Sequence, residues 1–424
     1  MLLTITSLIF IVAFILILTE KVPHYLVAGV GAIAVIAIGA LDPVTALTNH
    51  EMGIDWSVIF LLIGMMLMVG AIKTTGVFQF LAVKAAILAR GNARNTLLLI
   101  LGISALTSTV LPNLTIVMLV APVAIHLARE LGRSPVPFLL ATIIGSNVGG
   151  TATLIGDPPN LIIGSRVGID FMQMLVVMGP IALIGLVVTA AYFVVVYRKS
   201  LAPSADDRAR KITTTATLTN VPLLVVSLVL LALIIGTYIV GAFFGLSPEY
   251  IALSGGVLAT LMSRASLTHA AATVEWKTLG FFAGLFIIVG ALVSVGALEV
   301  VSRWLISIIG TDINVISISL LAFSGIVSGI VDNIPYVTSM IPVIFNLNEA
   351  LGLSEPSVLW WALATGADFG GSMTVVGASA NIVGVAIAHR EGIKLSMWDY
   401  AKVGIPVTLL SLLATVPYFL FVIN

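Results

Sequence analysis

Apolar residues run through this chain in long blocks separated by short polar breaks. A helix needs about 20 apolar residues to cross a bilayer. Ten blocks meet that length, near 2–19, 23–41, 54–73, 136–156 and 171–197, then 219–243, 248–264, 274–295, 357–377 and 398–422. The first, Leu2 to Leu18, has neither a basic leader nor a small-residue cleavage site, so it reads as a transmembrane helix and not as a signal peptide. Two further stretches, 95–130 and 312–350, do not fit as single helices. Each is interrupted, by Leu111-Pro112-Asn113-Leu114-Thr115 and by Val331-Asp332-Asn333-Ile334-Pro335. Pro beside Asn at membrane depth predicts a helix–turn–helix hairpin that enters and leaves by one side, since non-helical backbone survives there only inside protein or against a water-filled cavity.

The two halves of the pattern answer each other. Asp55-Trp56, Gly64, Gly70, Gly76 and Asn113 recur as Glu275-Trp276, Gly284, Gly290, Gly296 and Asn333, at a constant offset of 220. Gly145, Gly149, Gly150, Thr153, Gly156 and Asn160 recur as Gly366, Gly370, Gly371, Thr374, Gly377 and Asn381, at 221. A near-constant offset over such a length signals an internal duplication. Five spans per repeat is an odd number, so the second repeat must sit upside down. The expected fold is an all-α polytopic membrane protein of two inverted repeats, each of five transmembrane helices plus one re-entrant hairpin, with broken helices at the midplane. Residues 1–197 form the first repeat, 198–218 a linker and 219–424 the second repeat.

Charge orients this arrangement. With the linker in the cytoplasm, every Lys and Arg except Arg166 and Arg303 falls on the cytoplasmic side, as the positive-inside rule requires. Both termini then face the periplasm of a bacterial inner membrane. Composition agrees: 59% of the 424 residues are hydrophobic and 9% charged, against roughly 25% charged in a soluble domain. Net charge is zero and no basic block points to nucleic acid. The absence of cysteine excludes disulfides and thiolate metal sites. Inverted repeats with interrupted helices mark alternating-access transporters. No Gly-x-x-x-x-Gly-Lys-Ser/Thr loop is present, which favours an ion gradient over ATP as the driving force. A membrane-embedded enzyme is not expected, because no Ser/His/Asp set or His/Glu metal cluster is present. Neither a catalytic residue, a cofactor nor a metal is assigned.

Four polar segments are expected to converge: the two hairpin tips and two broken spans, Gly149 to Asn160 and Gly370 to Asn381. Gly156 followed by Asp157-Pro158-Pro159 cannot continue a helix, because the prolines supply no N–H. Freed carbonyls and half-helix ends can then hold ions or hydroxylated solutes. The amides and hydroxyls of these segments, Asn113, Thr115, Asn147, Thr153, Asn160, Asn333, Thr374, Ser379 and Asn381, together with Gly156, form the candidate substrate site. Three acids, Asp157, Asp332 and Asp368, are the candidate proton-coupling groups, since ionisable residues inside a membrane usually mark a pathway or relay. Asp332 and Asp157 have an alternative reading as helix caps. Asp368 has no such neighbour, and it stands where the first repeat has Asn147. No Lys or Arg lies in these segments, so local charge favours a cation or an uncharged solute.

The run Thr153-Leu154-Ile155-Gly156-Asp157-Pro158-Pro159-Asn160, with Asp332-Asn333-Ile334-Pro335 and Gly377-Ala378-Ser379-Ala380-Asn381, resembles the signature of the ArsB/NhaD group of the ion transporter superfamily, closest to its P-protein-like branch. The likeness covers nearly the whole chain. It implies a scaffold part and a moving transport part, and it admits a homodimer and a soluble arsenical ATPase partner. It also implies a cargo such as arsenite, moved as neutral arsenous acid, with antimonite beside it, in exchange for protons. A cysteine-free path suits that cargo, because trivalent arsenic bonds tightly to thiols. A sodium/proton antiporter is the alternative. An anion or dicarboxylate permease is less expected, because the paired Ser-Asn-Thr tips of that branch are replaced here by Pro112-Asn113-Leu114 and Asp332-Asn333-Ile334.

Overall fold

The computed structural model describes residues 1–19, 21–202, 218, 220–241, 244, 246–263 and 266–423. Most of the 198–218 linker lies outside the described residues, as does Arg264. Among the described residues there is no strand, and ten α-helices precede the linker and ten follow it. The first ten are α1 (Leu2–Thr19), α2 (His24–Ala37), α3 (Pro43–Thr48), α4 (Trp56–Lys73), α5 (Val77–Leu88), α6 (Ala93–Ser108), α7 (Asn113–Glu130), α8 (Pro135–Gly150), α9 (Pro158–Val167) and α10 (Phe171–Val196). The second ten are α11 (Val221–Gly241), α12 (Pro248–Met262), α13 (Leu267–Thr273), α14 (Trp276–Ser294), α15 (Ala297–Ile309), α16 (Ile313–Ile330), α17 (Asn333–Leu351), α18 (Val358–Gly371), α19 (Ser379–Arg390) and α20 (Met397–Tyr418).

Eight of these are long and apolar enough to cross a membrane: α1, α4, α7, α10, α11, α14, α16 and α20. Their outward faces are apolar as well. Leu183, Val187 and Val195 on α10 and Leu409, Leu410 and Leu413 on α20 are all exposed, which in water would be an aggregating surface and in lipid is the contact surface. The protein is a multi-pass membrane protein.

The expected spans need correction at four places. The 136–156 span stops at Gly150 and the 357–377 span at Gly371; each is a half-helix, followed after a short break by α9 or α19. The Gly pairs and the prolines after Asp157 end the first, and the Gly-Gly-Ser run ends the second. The spans expected at 23–41 and 248–264 are also short, with 14 and 15 helical residues. Four helices had no counterpart in the sequence pattern: α3, α5, α13 and α15. On α15, Val300, Trp304 and Ile308 are exposed alongside Glu299 and Arg303, which pair at 3.9 Å.

Glycine fixes how the helices pack. A Cβ at Gly64 on α4 would lie 2.3 Å from the Ala252 carbonyl carbon on α12, and one at Gly284 on α14 would lie 2.6 Å from that of Ala28 on α2. Thus α4 crosses α12 and α14 crosses α2 at backbone contact, each helix of one half against a helix of the other. Inside each half the broken helix packs on its hairpin in the same manner. A Cβ at Gly149 on α8 would meet the Ala105 oxygen on α6 at 2.0 Å, and one at Gly370 on α18 would meet the Gly325 oxygen on α16 at 2.5 Å.

Candidate functional site

Each hairpin turns sharply and binds its own broken helix. After Pro112, the Asn113 N–H donates to the Gly156 carbonyl at 3.3 Å; after Asp332, the Asn333 N–H donates to the Gly377 carbonyl at 3.2 Å. The Thr153 hydroxyl donates to the Thr109 carbonyl, and the Thr374 hydroxyl donates to the Gly329 carbonyl at 2.7 Å. Thr153 also accepts from the N–H groups of Ile155 and Gly156, closing the turn that no helix can span.

Carbonyls freed at the breaks are gathered by the two asparagines that follow. Asn160 Nδ2 is shared among the carbonyls of Gly150 (3.4 Å), Thr151 (3.2 Å) and Thr153 (3.3 Å). Asn381 Nδ2 donates to those of Gly371 (2.6 Å) and Thr374 (2.8 Å). Both asparagines are fully buried, so these bonds repair buried backbone that would otherwise be left unpaired. Gly156 sits where a Cβ would come within 2.5 Å of Gly150, so the break closes on bare backbone.

The side chains then join across the halves. Asn147 Nδ2 donates to Asn381 Oδ1 at 2.8 Å, and Asn147 Oδ1 accepts from Asn113 Nδ2 at 3.2 Å. Asn113 Nδ2 also reaches Asp157 Oδ2 at 3.1 Å. Asn333 Nδ2 donates to the same carboxyl from the other hairpin, 3.3 and 3.4 Å from its two oxygens. Asp332 caps α17 by accepting the Ile334 N–H at 3.0 Å, the cap role that was one of its two readings. Asp157 makes no side-chain cap on α9.

Asp368 is different. It is fully buried, with Asn160 and Thr151 as polar neighbours and Asp157 nearby, yet neither carboxyl oxygen has a hydrogen-bond partner. Asn160 Oδ1 is likewise buried and unpartnered. With Nδ2 of Asn160 committed to carbonyls, its oxygen is the atom turned away from them. Asn147 and Asp368 are equivalent positions, as are Asn381 and Asn160, so where Asn147 bonds to Asn381 the answering pair is Asp368 beside Asn160, with buried oxygens on both left without a partner.

Two candidate residues stand apart. Ser379, the first residue of α19, is exposed, and Thr115 is half-buried on α7 with no side-chain bond to the cluster among the described residues. Thr374 is half-buried at its rim.

A second polar cluster was not expected from the sequence. Asp55, fully buried at the start of α4, accepts from the Val58 N–H at 3.2 Å and from the Ser165 hydroxyl at 3.1 and 3.3 Å, and pairs with Arg166 Nε at 3.1 Å. Arg166 also donates to the carbonyls of His50 and Gly53 and lies over the Phe286 ring. The available signal was that Arg166 is one of two basic residues left off the cytoplasmic side. It borders a cavity of about 470 Å³, walled by α9, α14 and α17, whose lining includes Ile162, Phe286, Thr338 and Asn346. Ile162 is two residues past Asn160 and Thr338 five past Asn333, so these lining residues lie roughly one helical turn along α9 and α17 from the buried network. Among the described residues no group of His, Cys, Asp and Glu has metal-binding geometry.

Comparison with other proteins places this architecture. Residues 14–366 match the citrate transporter family (CitMHS), a stretch that ends before α19. An uncharacterized transporter of Mycobacterium tuberculosis (strain ATCC 25618 / H37Rv) is 38% identical over 95% of this chain and 95% of its own. The P protein of Mus musculus is 30% identical over 93% of this chain and 57% of its own. The YdaH transporter of Alcanivorax borkumensis shares the fold with a TM-score of 0.61 at 14% identity, covering 92% of this chain and 88% of that one. MtrF of Neisseria gonorrhoeae, described within a class of antimetabolite efflux pumps, does so with a TM-score of 0.63 at 12% identity, covering 100% and 95%. The chain is a membrane transporter and belongs to the citrate transporter family.

Proposed function

We propose that this transporter is a proton-coupled antiporter that exports a small hydroxylated solute, arsenous acid, and that Asp368 carries the proton. The observation behind the coupling is the mismatch between the halves. Asn147 supplies an N–H to Asn381, whereas at the equivalent pair both Asp368 oxygens and Asn160 Oδ1 are buried without a partner. A proton on Asp368 gives Asn160 Oδ1 its missing donor and makes the halves alike; its loss leaves buried acceptors unpaired, a cost of about 1–3 kcal/mol. The cavity beside Arg166 is the entry route in this reading. The two repeats, 1–197 and 219–424, are inverted in the bilayer, with the linker cytoplasmic and both termini periplasmic, as the basic residues favour.

The cargo follows from charge. Asp157, Asp332 and Asp368 lie together, and no cationic side chain lies in the four central segments. That environment suits a neutral solute, and the amide and carboxyl oxygens would equally suit sodium. The family match favours a second reading, a permease for citrate or another anion, with Arg166 on its route.

Proteoliposomes holding the purified chain separate these readings. Arsenite, sodium and citrate uptake are each measured with and without an imposed proton gradient. Accumulation of arsenite alone is the expected result. Sodium accumulation with proton competition replaces it by sodium/proton antiport, and citrate accumulation by the anion reading. Asp368→Asn is expected to move cargo down its gradient without any response to protons. An unchanged response in that variant removes Asp368 from the coupling role.

A further inference from the structure

The carboxyl of Asp157 is gripped in a way its partner position cannot reproduce. It is 2% exposed and accepts one amide from each hairpin tip, Asn113 Nδ2 at 3.1 Å and Asn333 Nδ2 at 3.3 and 3.4 Å. Both asparagines are the first residues of their helices, so the positive ends of two helices lie beside this carboxyl. The Asn113 amide cannot turn round, because its Oδ1 accepts the Leu114 N–H at 2.7 Å. One amide fixed in orientation, a second amide and two helix N-termini describe a carboxylate cradle, and the group seated in it belongs to the chain itself. The equivalent residue of the second half is Ala378.

We infer that Asp157 is a specificity-determining residue: its carboxylate is a tethered occupant of the carboxylate position between the two hairpin tips, and it keeps free anions out. This rests on the transporter reading above and narrows its cargo to solutes that are not anions. The argument is one of substitution. A free carboxylate entering the cradle would have to displace Asp157 from two amides and would find Asp332 and Asp368 close by. Cutting the side chain back to the Ala of the second half leaves the donors in place and removes the occupant, so the cradle becomes a site for the smallest carboxylate, formate. Asp157→Asn removes the charge and keeps the space filled.

The test is equilibrium binding of radiolabelled formate to purified protein in detergent, which needs no transport and so separates failure of this inference from failure of the transport reading. Saturable binding by Asp157→Ala, about ten-fold or more tighter than by the wild type, is the expected result, the worth of one charge-assisted hydrogen bond. Asp157→Asn is expected to bind no better than wild type. Equal binding by wild type and Asp157→Ala overturns the inference, as does no binding by either. If Asp157→Ala is poorly recovered, monodisperse yield is compared after solubilisation in potassium formate and in potassium gluconate, which is too large for the cradle. Higher recovery in formate supports the tethered-anion role, and equal recovery overturns it. Loss of sodium or arsenite binding that formate does not restore would make Asp157 a ligand of the cargo instead.

Discussion

Arg166 Nε lies 3.1 Å from Asp55 Oδ2, and the pair ties the last turn of α9 to the first turn of α4 with almost no solvent around it. Removing one member of a buried pair strands the other and costs about 3–5 kcal/mol, whereas replacing both by apolar groups is often nearly neutral. Arg166→Met is therefore expected to lower the melting temperature of the purified protein clearly. Arg166→Met with Asp55→Leu is expected to recover part of that loss. A single variant that melts with the wild type would show that Ser165 and Val58 suffice to hold Asp55.

At Asp368 the chemistry of the side chain should matter more than its shape. Asp368→Asn brings an N–H to Asn160 Oδ1, copying the bond that Asn147 makes to Asn381. Its thermal stability is expected to equal or exceed that of the wild type. Asp368→Leu has similar volume and no donor, and is expected to lose about 1–3 kcal/mol. Equal melting of the two variants would mean that Asn160 finds its partner elsewhere.

Gly149 sits where α8 meets the α6 backbone. Gly149→Ala would drive a methyl group to 2.0 Å from the Ala105 oxygen, and overpacking of that kind costs about 1–3 kcal/mol. Gly102, on α6 itself, has open space where a methyl group would go, with nothing within 4 Å, so Gly102→Ala should gain about 0.5–1 kcal/mol from helix propensity. Urea or thermal unfolding of the two variants gives opposite signs if the backbone contact governs the fit.

Orientation is open to direct labelling because the chain has no cysteine. Ala205→Cys, in the linker, is expected to react with an impermeant maleimide only from the cytoplasmic side. Reaction from the periplasmic side alone would invert the topology.

Much of this was legible in the sequence. The apolar blocks, the hairpin breaks and the constant offsets gave an all-helical membrane fold and picked out Asn113, Asn147, Asn160, Asn333, Asn381 and the three acids as polar residues in apolar surroundings. A buried polar residue is conspicuous when everything around it is apolar. Two things were not legible. The length of α8 and α18 was overestimated, because Gly-rich apolar sequence has the same hydropathy whether it continues a helix or ends one. The Asp55–Ser165–Arg166 cluster was missed because its members lie 110 residues apart and each looks like an interfacial polar residue alone. Ser379 was grouped with the site by sequence position; as the first residue of α19 it is exposed, unlike the buried amides.

The halves differ in chemistry at three central points, Asp157 against Ala378, Asn147 against Asp368 and Pro112 against Asp332. Had the same fold been assembled from two identical short chains, each of those points would carry the same residue twice. A dimer of the first kind would hold two carboxyls at the hairpin tips and an amide pair beside them. One of the second kind would hold two Asp332 carboxyls at the tips and two Asp368 carboxyls beside them, with nothing in the place of Asp157. In one continuous chain each position is free of its twin, so a single acid can stand at each point. The unlike residues thus give the centre of this molecule a direction in its chemistry, which a pair of identical halves could not possess.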